Sequence, residues 1–435
     1  MTPPPAQQAT LGSRPSQAAD TEKTSWLRLA ATAGPGLLIA VGYMDPGNWA
    51  TDLASGAQFG FTLLPVVVLS SLAALFLQML SMKLGLVSGA DLAQHCRAHY
   101  GRKTNTALWL SAQLAIVACD VAEIIGTAIA LQLLFGLPVL MGMCATVAAT
   151  FAVLSLQNRG MRRIQAFVVV LMGVVCACLL YELFLSRVPA TGIFASFLPS
   201  KKLLNPNALY LSLGILGATI MPHNIYLHST LARDQAQQRA KPQALRLAAI
   251  DCAASLFIAA LVNAAILILA ASALGGHGGH EVDFAGAYRL LAPSLGTGVA
   301  STVFAVALLA AGQNATITDT MAGQAVMAGF LGLNVSPVRW RWITRGIALF
   351  PALGAAAFAG EGSLTQLLVL SQVVLSLQLG FAIFPLVRFT NDRKIMGRYT
   401  NRPATKFFAR ATAFIIVGAN VLLLVQTVLL SQSFH

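Results

Sequence analysis

Apolar residues along this chain fall into long stretches separated by short polar links. The stretches lie near 32–57, 61–86, 105–135, 138–157, 161–185, 207–232, 244–273, 296–330, 338–359, 363–388 and 405–430. A helix of about 20 apolar residues crosses a hydrocarbon core of roughly 30 Å. Lipid offers the backbone no hydrogen-bond partner, so a spanning segment has to be a helix or part of a closed barrel. These runs are too long and too continuous for barrel strands. The pattern therefore predicts an all-α polytopic membrane protein with eleven transmembrane helices.

Two of the runs are interrupted near their centres. The first carries "GYMDPGNWATDL" from Gly42 to Leu53, and the sixth carries "GATIMPHNIYLHS" from Gly217 to Ser229. Asp45-Pro46-Gly47-Asn48 aligns with Met221-Pro222-His223-Asn224: a side chain able to ligate, a proline, a spacer, an asparagine. Five spans separate the copies, and an odd number turns the second copy over in the membrane. That predicts two inverted five-helix repeats with broken helices 1 and 6, and a binding site where the breaks meet. The chain divides accordingly into a disordered cytoplasmic tail (1–30), a first repeat (31–185), an extracellular linker (186–206), a second repeat (207–390), and a cytoplasmic loop with the eleventh span (391–435).

Composition supports the membrane reading and removes one alternative. Of 435 residues, 57% are hydrophobic and 10% charged, where a soluble domain carries about 25% charged. The net charge of +13 could point to nucleic acid, but its placement does not. With the N-terminus inside, alternate links hold Arg14, Lys23, Arg28; Lys83, Arg97, Arg102, Lys103; Arg159, Arg162, Arg163; Arg233, Arg239, Lys241, Arg246; Arg339, Arg341, Arg345; and seven residues from Arg388 to Arg410. The opposite links hold Arg187, Lys201, Lys202 and Arg289. The excess of basic residues on one side fixes the orientation, N-terminus cytoplasmic and C-terminus outside, and accounts for the charge without a nucleic-acid partner. A bacterial inner membrane, a lipid environment and a monomer are expected. The tail "MTPPPAQQATLGSRPSQAAD" lacks the order of a signal peptide. The six cysteines show neither a disulfide framework nor CxxC metal spacing.

The prolines give the breaks their chemistry. A proline inside a helix has no N–H for the carbonyl four residues earlier, so Pro46 frees the carbonyl of Gly42 and Pro222 that of Ala218. The first half of each broken helix also points its negative end at the break. Two freed carbonyls and the Asp45 carboxylate describe a cation site; an anion would prefer helix N-termini. Asp45 and Asn48 offer hard oxygen and Met221 a soft thioether. Oxygens alone suit Mg2+ or Ca2+, whereas a thioether favours transition metals. The mixture predicts Mn2+ or Fe2+ as cargo, with Cd2+ able to follow.

These motifs resemble the Nramp family of proton-coupled divalent-metal transporters. Besides "MDPGN" and "MPHN", the likeness rests on "CDVAEIIGTAIALQLL" on the third span, "QNRG" before the fifth, "TMAGQ" ending the eighth and "LSQVVLS" on the tenth. It covers nearly the whole chain after residue 30. The resemblance implies a LeuT-like fold, metal ligation by Asp45, Asn48, Met221 and the Ala218 carbonyl, and Gln372 joining when the site is occluded. Family members often have alanine where this chain has Gly42, whose ligating group is backbone. Where they often carry two adjacent arginines at the start of the ninth span, this chain has Trp340 and Arg341.

Uphill uptake needs a driving ion. Asp120 and Glu123 are three residues apart and share a helical face. His223 follows Pro222, and His228 lies further along the same half-helix. Acidic and histidine side chains inside a membrane mark proton relays. The expected route runs from Asp45 through His223, Glu123 and Asp120 to Arg341 or Arg345, with His228 beside it. Asp251 is expected to be structural. Asp319 with Gln313-Asn314 fits cavity lining or packing, and the outer loop from His277 to Asp283 reads as polar loop. No HExxH, P-loop or zinc-finger spacing occurs, so neither an enzyme nor an ATP-driven pump is expected, and no cofactor. The alternatives are a Mg2+-selective relative, an amino-acid symporter on the same fold, and a passive metal channel or receptor.

Overall fold

The computed structural model describes residues 34–432 apart from 158–160, 187, 237–239, 275–285, 288–298, 334–335 and 359–360. The expected tail 1–30 and the outer loop His277–Asp283 lie outside the described residues. Within them there are helices and turns and no strand.

The first expected span is two helices, α1 (Pro35–Gly42) and α2 (Pro46–Phe59). Next come α3 (Leu64–Ser88), α4 (Leu92–His99), α5 (Arg102–Phe135), α6 (Val139–Gln157), α7 (Met161–Leu185) and the short α8 (Ala190–Ala195). The sixth span is again two helices, α9 (Pro206–Ile220) and α10 (Pro222–Gln235). The remainder comprises α11 (Lys241–Leu274), α12 (Val299–Leu331), α13 (Pro337–Phe358), α14 (Glu361–Asn391), the short α15 (Arg393–Met396) and α16 (Pro403–Gln432). Helix thus falls on each of the eleven expected runs. Among the described residues, eight stretches are long and apolar enough to cross a membrane; one of them, Pro46–Ser88, holds both α2 and α3. Helix α13, with Arg339, Arg341 and Arg345, is not among the eight.

Local sequence explains where these helices start. Proline opens α2, α9 and α10; at the first position of a helix its missing N–H costs nothing. Helix α4 lies in what the hydrophobic pattern leaves as a link. Its signal is a capping box, Asp91 and Gln94 bonding each other's backbone. The start of α1 is held from elsewhere: Gly34 N and Gly36 N donate to the Asp251 carboxylate on α11 at 3.1 and 2.7 Å. A carboxylate there satisfies orphan donors and meets the positive helix end, which gives Asp251 its structural role.

The bundle has an apolar core with charged groups set within it and an apolar outer surface. The most apolar windows of α5, of α9 with α10, and of α12 are 83%, 78% and 72% buried, against 28% for those of α7 and α16. The first group therefore forms the centre and the second faces outward. The outer surface presents bare Phe184, Phe350 and Phe414, which suits lipid tails. Asp45, Asn48, Asp120, Glu123, His223, Asp319 and Arg345 are all buried inside. Helix α9 packs on α2, and α10 packs on α1. The two broken helices therefore run antiparallel with their breaks facing each other.

Candidate metal centre

Helix α1 ends at Gly42 in a tight turn: Tyr43 N bonds Ala40 O and Met44 N bonds Val41 O, both at 3.1 Å, and Asp45 N reaches the Gly42 carbonyl at 3.3 Å. Asp45 is extended (φ −66°, ψ 162°) and caps α2. Its Oδ1 accepts from Asn48 N at 2.9 Å and Asn48 Nδ2 at 2.7 Å. Its Oδ2 is buried without a partner. A buried carboxylate oxygen left unpaired in lipid is costly, and a proton or a cation would relieve that cost.

At the second break Met221 has φ 43° and ψ 95°, the only positive φ at a non-glycine position among the described residues. Pro222 offers no N–H to the Ala218 carbonyl, and the donor there is Asn48 Nδ2 at 3.0 Å. One amide group thus bridges Asp45 Oδ1 and Ala218 O, the carboxylate of one break and the freed carbonyl of the other. Asn263 Nδ2 on α11 donates to Asn48 Oδ1 at 3.2 Å. The thioether of Met221 receives Asn224 Nδ2 at 3.3 Å, and the Asn224 amide in turn lies against Gly42, where a Cβ would collide with it.

Helix α14 closes the third side. A Cβ on Gly47 would run into the Gln372 amide and approach Asp45 Oδ2 at 2.9 Å, and a Cβ on Gly217 would overlap the Gln372 backbone carbonyl. Gly217 lets the backbones of α9 and α14 approach closely, and Gly47 leaves room for the Gln372 side-chain amide. Gln372 Nε2 donates to Ser371 Oγ at 2.9 Å, and Gln372 Oε1 is buried with no partner. The six residues expected around the metal thus surround the facing breaks, and two of their side-chain oxygens point at no donor.

The expected proton-route residues separate into two groups. Arg341 Nη1 lies 2.7 Å from Asp120 Oδ1, and its Nη2 lies 3.2 Å from Glu123 Oε2. Arg345 pairs with the same Glu123 oxygen through Nη2 and lies 3.8 Å from Asp120 Oδ1 through Nε. Thr316 Oγ1 donates to Glu123 Oε2 at 3.1 Å. His223 Nε2 faces Asp319 Oδ1 at 3.2 Å. His228 stands apart: its Nδ1 meets Gln78 Oε1 at 2.9 Å, Gln78 Nε2 donates to Tyr43 OH at 2.8 Å, and Tyr43 OH donates to Ile220 O at 3.3 Å.

Sequence reasoning did not assign Asn263, Thr316 or Cys119 to the site and left Asp319 open. Asn263 had a usable signal, a single amide inside the run "AALVNAAILILA". The other three needed the packing of α5, α10 and α12 to be known.

A family model described as natural resistance-associated macrophage protein-like matches residues 36–426. The chain is 50% identical over 404 residues to a divalent metal cation transporter of Xanthomonas campestris, covering 92% of this chain and 91% of that one. It is 48% identical over 405 residues to a divalent metal cation transporter of Listeria innocua, with 92% and 90% covered. Among solved structures, the manganese transporter of Eremococcus coleocola, in complex with an aromatic bis-isothiourea substituted compound, matches with a TM-score of 0.82 at 37% identity, over 92% of this chain and 87% of that one. The amino-acid-bound transporter MhsT matches with a TM-score of 0.64 at 15% identity, over 90% and 97%. At that identity the likeness concerns the fold, which is LeuT-like.

Proposed function

Since the chain belongs to the Nramp family, a set of multi-pass membrane transporters and not enzymes, we propose that it imports divalent transition-metal ions, Mn2+ and Fe2+ first and Cd2+ with them, by proton-coupled alternating access. The residues 31–185 and 207–390 act as the two repeats that move around a fixed site, in a bacterial inner membrane with the N-terminus cytoplasmic and the C-terminus outside. The protein works as a monomer, with the metal as cargo and no cofactor.

The observation that carries this reading is the single amide of Asn48 between Asp45 Oδ1 and Ala218 O. Its N–H groups sit between two oxygens that a cation would draw together. An arriving metal replaces these donors. The Asn48 amide then turns over and presents Oδ1 to the ion, so that carboxylate, amide oxygen and peptide oxygen converge with the Met221 thioether. Gln372 Oε1, unpartnered beside Gly47, completes the shell on occlusion. The thioether disfavours Mg2+ and Ca2+, which take oxygen ligands.

Proton transfer runs from the metal site past His223 to the Asp120–Glu123 pair. Two guanidiniums facing two carboxylates give that pair alternative partners when a proton arrives, so charge is not stranded in low dielectric. Metal uptake into proteoliposomes across a panel of divalent ions tests the site. Met221→Ala is expected to admit Ca2+ or Mg2+ more than it harms Mn2+; unaltered discrimination overturns the thioether argument. Metal-driven acidification of the lumen tests the route, and Glu123→Gln is expected to abolish it. Unchanged proton flux in both Glu123→Gln and Asp120→Asn discards the relay.

A further inference from the structure

On the far side of Pro222 from the thioether lies a second set of donors. Cys119 Sγ on α5 is 3.8 Å from His223 Nε2 and 3.9 Å from Nδ1. Asp319 Oδ1 on α12 is 3.2 Å from His223 Nε2. One ligand atom from each of the three lies within 4.8 Å of the others, and all three side chains are buried. In a tetrahedral site with bonds of about 2.0–2.3 Å, donor atoms sit roughly 3.3–3.8 Å apart. The present spacing is within a small side-chain adjustment of that.

The guanidiniums around the cluster are shared unevenly. Asp120 and Glu123 each contact both Arg341 and Arg345. Among the described residues, the only basic side chain within ion-pair distance of Asp319 is His223. Its carboxylate also lies within 4.8 Å of an oxygen from each of Asp120 and Glu123. Three carboxylates thus face two guanidiniums, and the one without a guanidinium borders the thiol and the imidazole. A buried carboxylate so placed is neutralised by a proton or by a cation.

The geometry points to a second, transient cation station formed by Cys119, His223 and Asp319, taking borderline-soft divalent ions such as Co2+, Zn2+ and Cd2+ and passing over Mg2+ and Ca2+. Sulfur, imidazole and carboxylate are the donor set of such ions. Binding displaces the Cys119 thiol proton, which leaves to water as the metal–sulfur bond forms. Three protein donors leave a fourth position for water, the arrangement of an exchangeable ion. The station's place on the import path rests on the proposed function; its donors do not. Harder Mn2+ passes without dwelling, whereas Zn2+ and Cd2+ are held at this point and slow turnover.

Co2+ binding to the full-length chain in detergent, with the first site removed by Asp45→Ala and Met221→Ala together, tests this. One Co2+ per chain is expected, with a thiolate-to-cobalt charge-transfer band. The band should vanish in Cys119→Ser, weaken at least 10-fold in Asp319→Asn, and persist in Cys144→Ser. A band that survives Cys119→Ser, or no band in either the double variant or the wild-type chain, overturns the station. Mn2+ binding by the same double variant reads the first site separately: its retention there counts against the Asp45–Met221 reading and leaves the cobalt result standing.

Discussion

The two breaks perform matching tasks with opposite physics. At the first, Asp45 is in relaxed extended backbone and caps α2 with its own side chain. At the second, Met221 sits at φ 43° with no side-chain cap on α10, a conformation that costs a non-glycine residue about 1–3 kcal/mol. The first break is held by bonds within four residues of sequence. The second has one such local bond, Asn224 on the Met221 sulfur, and is otherwise held by its surroundings: Gly217 against the Gln372 carbonyl and Asn48 on the carbonyl that Pro222 freed. One break supplies charge and forms locally. The other supplies softness and is imposed by packing, so it is the more easily lost.

The largest test of this contrast replaces the charge. Asp45→Asn keeps the shape but removes the carboxylate, and loss of a buried charged partner costs about 2–5 kcal/mol. Mn2+ affinity, read by calorimetry, is expected to fall by roughly 100-fold or more, with every divalent ion affected alike. Selective loss of one ion would assign charge and softness differently. Next come the two glycines. Gly217→Ala drives a methyl into backbone and is expected to cost about 1–3 kcal/mol, seen as a lower Tm with slower uptake. Gly42→Ala meets only the movable Asn224 amide and is expected to change Tm little. Equal effects would remove the distinction between a packed break and a local one.

The prolines give a smaller effect. Pro222→Ala restores an N–H that competes with Asn48 for the Ala218 carbonyl, and Mn2+ uptake is expected to fall about 10-fold, near 1.4 kcal/mol. Pro46→Ala is expected to lose only about two-fold, because the Asp45 cap still starts α2. The smallest is a reversal of order. Alanine normally stabilises a helix relative to glycine by about 0.5–1 kcal/mol. At a left-handed position the ranking inverts, so Met221→Gly is expected to melt above Met221→Ala. The ordinary order would show that the strain is absent in solution.

Much of this is legible in the sequence alone. Long apolar runs, two prolines at matched places and an acid beside one of them are local signals, and they led to the spans, the breaks and the ligand candidates. The capping box of α4 is equally local, though hydrophobic periodicity passes over it. What stayed hidden depends on neighbours. Nothing around His228 announces that its partner is Gln78 on α3. Nothing around Asp319 announces that it faces His223 while the two arginines turn to Asp120 and Glu123. The carbonyl of Gly42 reads as free from Pro46 alone, yet the turn brings Asp45 N to it. Side-chain pairing across helices is set by rotation and depth, which sequence spacing does not encode.

The clamp of Asp251 on the N–H groups of Gly34 and Gly36 bears on how such a protein opens. Eight residues make a short lever, and its N-terminal tip is tied to α11 by a charge-assisted fork. Any displacement of α1 therefore has two choices: carry α11 with it as a single strut, or snap the fork and leave the Asp251 carboxylate without its two donors.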